Sequence, residues 1–441
     1  MDNKDVLREK IINFFKKCIH DDKELLGLEI EHFLVDKKTF KSISYGAERG
    51  QKYLLTKMLD LGWEIISKEG DNILGIEKEG STITLEPGGQ FEFSIKAYKN
   101  IDSIKHDYKK ILDDVYKVID EDKDLILIGY HPNTSIDELQ LLPKARYDMM
   151  FDYFKGKGEY CHNMMKGTAS LHVSIDYKNE NDFIKKFRTA NFLTPFLSRL
   201  FDSTPIFEKK IYDKNNLRVK IWQNTDIKRS KAVPGSLDKV FNFEDYADYI
   251  LNSEPIFIIN DGRTLCTKRK TVRELEKEFD FSKEGIEHLI SMVFPDVRLK
   301  NYIEIRVADS IKYPYFLSLL SVLKGVFYSK EVLEKYYNMS LNYSNKDIEN
   351  LNNIVVENIH SRYKNIDLDS FTCQLLEDAK KGLKNKDEAV YIDKLYNLIK
   401  NYGSMAKYLK KINNKEELIK EVSANNIIKE WYNGKEYRFT E

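Results

Sequence analysis

Residues 83–94 read "ITLEPGGQFEFS". Short apolar-polar alternations flank a Pro-Gly-Gly reversal, which predicts strand, turn, strand. The hairpin carries Glu86 and Glu92 among residues that otherwise want the inside of a sheet. Burial makes a carboxylate costly, so a pair in this setting implies something cationic between them.

The same spacing recurs along the chain. Residues i and i+2 of a strand share a face. In "GLEIEHF" Glu29 and Glu31 lie together, opposite Leu28 and Ile30. In "YIEIRVAD" Glu304 and Arg306 lie opposite Ile303, Ile305 and Val307. In "TASLHVSID" Ser170, His172, Ser174 and Asp176 alternate with Leu171, Val173 and Ile175. Taken singly, each is a half-exposed strand with one wet face, and His172 alone is a structural histidine. Jointly the polar faces carry ligand-type groups with acids in excess, and Arg229, with Lys228 and Lys231, lies in a loop that can meet them. Clustered carboxylates repel unless a divalent cation bridges them, and hard oxygen ligands suit Mg²⁺ or Mn²⁺. Magnesium usually carries a nucleotide's phosphates.

Between these strands the pattern predicts helices over the first 25 residues, 51–62, 101–119 and about 182–200, the last capped by Asn181. "WEIIS", "ILGIEKEG" and "LILIGY" read as strands. From Tyr315 to about residue 430 the pattern is helical and shows no site chemistry. Strands and helices do not alternate as in a parallel sheet, so the expected class is α+β with a largely antiparallel sheet. The expected organisation is a single domain over 1–441, with a catalytic core at about 24–330 and a helical C-terminal region at about 331–441.

Composition excludes several classes. The chain has 441 residues, with 71 basic and 71 acidic side chains. Zero net charge argues against a general binder of nucleic acid or anionic membrane. No run approaches the roughly 18 apolar residues of a membrane span, and the N-terminal stretch has no signal-peptide core, so a cytoplasmic protein is expected. Four scattered cysteines without a CxxC pair support neither a disulfide frame nor a zinc knuckle. Neither GxxxxGK[ST] nor GxGxxG is present.

In order, "GLEIEHFLV", "ITLEPGGQFEFS", "LLPKARYDMM", "MMKGTASLHVSIDY", "IWQNTDIKRS", "FNFEDYADYIL" and "FPDVRLKNYIEIRVADS" resemble the plant- and proteobacterial-type glutamate–cysteine ligases. These are carboxylate–amine ligases related in fold to glutamine synthetase. The resemblance implies a funnel-shaped active site on a curved antiparallel sheet. It also implies ATP- and Mg²⁺-dependent joining of the L-glutamate γ-carboxyl to the L-cysteine amine through γ-glutamyl phosphate, the first step toward glutathione. On this resemblance Glu29, Glu31, Glu86, Glu92, His172 and Glu304 are the metal residues, and Arg306, Glu29 and His172 meet ATP. Arg306, Arg229 and Glu92 are catalytic, and Trp222, Arg229, Thr168, Gln90, Arg146 and Tyr147 bind substrate. One departure stands out. The family has an arginine before the threonine of "GTASLH", and here it is Gly167, preceded by Lys166. Gly167 keeps open a ligase that joins glutamate to a different amine. The carboxylates alone also suit a metal-dependent hydrolase, or a relative that only binds nucleotide or amino acid. The expected partners are small molecules, as a monomer or homodimer.

Overall fold

The alternating stretches become one antiparallel sheet. The computed structural model describes residues 6–19, 23–260, 263–357 and 362–432. Nine strands form the sheet: β1 (Leu26–Asp36), β2 (Glu64–Glu69), β3 (Asn72–Lys78), β4 (Ser81–Leu85), β5 (Phe91–Tyr98), β6 (Lys123–Ile126), β7 (Ser170–Ile175), β8 (Val297–Leu299) and β9 (Ile303–Asp309). Their order is β8-β9-β7-β1-β5-β4-β3-β2, with β6 paired to the far half of β1. Every pairing is antiparallel, so the α+β expectation holds.

Register fixes what shares a face. Across β1 and β5, Glu31 lies opposite Glu92; across β1 and β7, Glu29 lies opposite His172; across β9 and β7, Glu304 lies opposite Ser174. The other face carries Leu28, Ile30, Phe93, Leu171, Val173, Ile303 and Ile305, all buried. A slip of one residue would exchange the two sets, so burial of the apolar face pins the acids to the opposite one. His32 is on the apolar face. Its Nε2 sits 2.8 Å from the Tyr108 hydroxyl and its Nδ1 3.2 Å from the Phe91 carbonyl oxygen, which makes it a satisfied core residue.

Helices α1 (Val6–Lys17), α2 (Ile101–Val118), α3 (Glu180–Leu200), α4 (Leu217–Gln223), α5 (Tyr315–Phe327), α6 (Asn345–Glu357), α7 (Leu368–Gly382) and α8 (Ala389–Tyr402) surround the sheet. α2 packs on β5 and α5 on β7, and the Tyr108 and Phe316 rings meet at 4.7 Å between centroids. α1 is shorter than the 25 residues expected; residues 1–5 and 20–22 lie outside the described set. α3 begins earlier than expected because Asn179, not Asn181, accepts the hydrogen bond from the Asp182 N–H. α5 packs on α7 and α8, and the segment after them returns to the sheet, where Ala424 N–H donates to the Leu125 carbonyl and Leu127 N–H to that of Val422. At the far side, β2 has no further strand beside it among the described residues, and Ile65 and Ile66 are exposed.

Candidate active site

Three of the expected metal residues converge. One ligand atom from each of Glu29, Glu92 and His172 lies within 4.8 Å of the others. They come from β1, β5 and β7, adjacent in the sheet, so the period of two assembles them. His172 Nδ1 is 3.3 Å from Glu29 Oε2, while Nε2 is buried without a partner. Burial and the nearby Arg306 charge push the imidazole down to about 4, so it is neutral and able to ligate. Burial, then Glu29, Glu86 and Glu31, raise the Glu92 carboxyl well above its usual range; Thr84 donates to it at 3.1 Å. Burial and Glu86 likewise push Glu31 up to about 7, although Ser170 N–H and hydroxyl bond its two oxygens at 2.9 and 2.6 Å. Glu86 is raised by burial and held back by Arg146 and Lys144. A cation among these half-buried and buried acids would relieve their mutual repulsion.

Glu304 departs from this set. Fully buried, it is surrounded by Arg298 at 2.7 Å, Lys300 at 2.8 Å and Arg306 at 2.9 Å. Burial opposes its charge, yet the three cations hold it well below the usual carboxylate range. Matched by three cations, Glu304 fixes Arg306 by an ion pair and is not one of the three residues whose ligand atoms converge. Arg298 and Lys300 were not anticipated. The signal was present in "DVRLK", where Asp296, Arg298 and Lys300 alternate with the buried Val297 and Leu299.

Beyond Arg306 opens a cavity of about 440 Å³ lined by Trp222, Arg218, Lys231, Asp296 and, from α6, Ile348 and Glu349. The helical region thus supplies one wall, contrary to the expectation that it carries no site chemistry. Arg218, also unanticipated, lies one helical turn before Trp222 on α4, its guanidinium 5.5 Å from that ring. Arg218 donates to the Arg306 carbonyl at 2.9 Å, and the indole Nε1 of Trp222 is buried without a partner.

Four expected substrate contacts are placed elsewhere. Arg229 is 2% exposed and donates to Asp226, Tyr153 and the carbonyls of Met292 and Glu254. It fastens the loop after α4 and does not reach the acids. Gln90 donates to the Thr168 carbonyl at 2.7 Å and accepts from Gly88 N–H at 2.8 Å, so it clamps the Pro-Gly-Gly turn. Thr168 donates to the Met164 carbonyl, and Tyr147 to that of Leu85; both are buried. Arg146 keeps an unpartnered buried Nε and acts on Glu86 through its charge. At Gly167 a Cβ would meet the Tyr130 ring at 2.6 Å. Tyr130, bonded to Glu208 at 2.5 Å, occupies the room a longer side chain would need. Lys166 does not stand in for the arginine, because its ammonium is held by the Ile136 and Leu139 carbonyls.

Known proteins resemble this chain in sequence and fold. The chain is 28% identical over 372 residues to glutamate–cysteine ligase B, chloroplastic, of Oryza sativa subsp. japonica, covering 82% of this chain and 74% of the relative. It is 28% identical over 390 residues to the chloroplastic enzyme of Arabidopsis thaliana, covering 86% and 74%. A crystal structure of glutamate–cysteine ligase from Francisella tularensis in complex with AMP aligns with a TM-score of 0.59 at 10% identity, over 94% of this chain and 90% of that one. That likeness is one of fold. The cytoplasmic expectation is overturned by the plant relatives, which are chloroplastic enzymes; charge balance does not distinguish one aqueous compartment from another. Among the described residues no helix is long and apolar enough to cross a membrane. The family model for glutamate-cysteine ligase family 2 (GCS2) matches residues 25–424 of the 441, and the chain belongs to that family.

Proposed function

We propose that the protein joins the γ-carboxyl of L-glutamate to the amine of L-cysteine with ATP, through γ-glutamyl phosphate, releasing ADP and phosphate. The observation that carries this reading is the convergence of Glu29, Glu92 and His172 beside Arg306 and the Trp222-lined cavity. A free carboxylate is a poor acyl donor because oxide would have to leave; its phosphorylation supplies phosphate as the leaving group. The residues fit a hard divalent cation: two carboxylates, an imidazole with an unpartnered buried nitrogen, and Glu31 and Glu86 alongside. Mg²⁺ or Mn²⁺ bound there would offset the like charges of carboxylate and triphosphate. Arg306, fixed by Glu304, presents a delocalised cation to the transferring phosphoryl group. Trp222 walls the amino-acid site, and α6 closes its far side against the water that would hydrolyse an acyl phosphate.

The test is ADP release from purified protein with glutamate and each of the twenty amino acids, with Mg²⁺ and with EDTA. Release should need glutamate, rise most with cysteine, and cease in EDTA. Equal release without any amino acid would leave only hydrolysis. A second reading, glutamate joined to a different amine, is favoured by Gly167 and by the Tyr130 ring over it; another amino acid outcompeting cysteine would select it.

A further inference from the structure

Asp296 stands directly before β8, opposite Arg306 on β9. Its N–H donates to the Lys231 carbonyl at 2.9 Å, and its carbonyl accepts from Arg306 N–H at 3.0 Å. By strand parity its side chain shares the face of Arg298, Glu304 and Arg306. The backbone is therefore pinned at both ends, and the carboxylate lines the 440 Å³ cavity. Among the described residues, none lies within hydrogen-bond or ion-pair distance of that carboxylate. Arg218 on α4, Arg306 on β9 and Lys231 act on it only through charge, and burial outweighs them, pushing it up to about 6. The remaining charged residues of the cavity are Asp238, Lys346 and Glu349, and Glu349 sits 3.6 Å from Lys231. Asp296 is half-buried in the cavity wall, so its carboxylate is open to a ligand that brings a donor. Trp222 lines the same cavity with its ring, while its Nε1 is sealed from solvent. Asp296 and Arg218 complement an α-amino acid, ammonium toward Asp296 and carboxylate toward Arg218, with the Trp222 ring as the wall between.

We propose that Asp296 receives the amine substrate and is the base that deprotonates it. This rests on the ligase reading above. The incoming ammonium gives one proton to the Asp296 carboxylate, and the freed nitrogen lone pair forms the C–N bond at the acyl phosphate carbonyl. The C–O bond to phosphate breaks, its electron pair leaves with the phosphate, and the second nitrogen proton goes to that phosphate. The products are the amide, hydrogen phosphate and a protonated Asp296, which solvent then reloads.

The experiment compares D296N and D296E with wild type on two nucleophiles. Cysteine arrives as an ammonium that needs a base; hydroxylamine is unprotonated at neutral pH and needs none. With ATP, Mg²⁺ and glutamate, D296N should lose about a hundredfold or more in kcat with cysteine, within the range for a lost general base. It should lose only a few-fold in glutamyl hydroxamate formation. Cysteine ligation by D296N should recover as pH rises toward the amine's own pKa, and D296E should fall between the two. Equal loss on both nucleophiles, or none on either, overturns the proposal. If wild type itself makes no hydroxamate, the ligase reading fails and takes this one with it.

Discussion

Glu92 meets three other acids on one sheet face, and its charge is costly there. E92Q keeps the shape and removes the charge. In the absence of metal, E92Q should unfold at higher temperature than wild type. By linkage, the folded acid keeps a proton that the unfolded chain releases above its ordinary 4.5, so wild-type stability falls as pH rises past that value, and the variant, which keeps Glu31 and Glu86 but not this acid, loses less. The gap in Tm should be small near pH 4.5 and widen toward neutrality, which calorimetry at several pH values reads directly. With Mg²⁺-ATP the order should reverse, affinity dropping on the order of tenfold or more. His172→Leu should weaken the same binding similarly, while His172→Gln, which keeps a ligand oxygen, should weaken it less; titration by calorimetry separates them. Because His172 is pushed down to about 4, neither the wild type nor H172Q should lose Mg²⁺-ATP through this position between pH 6 and 7. Alternation alone makes Glu29, Glu92 and His172 legible in the sequence. The role of Arg229 is not legible there, because beyond the local Asp226 its partners Tyr153, Met292 and Glu254 come from separate segments whose approach no local pattern encodes.

Most strands of five residues or more are legible because alternation fixes their parity, whereas Glu64–Glu69 is exposed nearly throughout and shows none. The two-residue ribbons at Ile206–Phe207 with Lys210–Ile211, and at Arg362–Tyr363 with Ile366–Asp367, are too short to show a period and leave no mark in the sequence. β8 has only three residues, yet the alternation of "DVRLK" around it marks the face shared by Asp296 and Arg298. The opening hairpin depends on a contact that its own sequence does not reveal. The turn between β4 and β5 is seated against the segment before β7, where a Cβ on Gly88 would lie 2.2 Å from the Lys166 carbonyl oxygen. Backbone cannot yield there as a side-chain tip would. G88A should therefore cost on the order of 1–3 kcal/mol, as overpacking does, and the loss should appear as a lower urea midpoint. It should also lower activity in the folded fraction, since the displaced turn carries Glu86. An unchanged midpoint would mean that the two segments separate freely.

At the scale of the molecule, the helical region is tied to the rest of the fold in three places. α5 packs on β7, α6 walls the cavity, and residues 422–424 lie along β6. A chain ending at residue 340 should lose α6, α7 and α8, and with them the cover of α5. It should be recovered as an aggregate or unfolded chain with no glutamate-dependent ADP release, while the full chain unfolds in a single transition by both circular dichroism and intrinsic fluorescence. A soluble, active truncation would show that the core at about 24–330 is a domain in its own right. The open border at β2 has a different consequence. Its outer row of amide and carbonyl groups can accept a strand from another molecule, and Ile65 and Ile66 beside it offer an apolar landing. Glu64, Lys68 and Glu69 on the same strand make that encounter electrostatically mixed and wet. These three charges protect the protein's shelf life: with Glu64 and Lys68 replaced by Val, concentrated solutions should cloud on storage and bind thioflavin, with the site itself untouched.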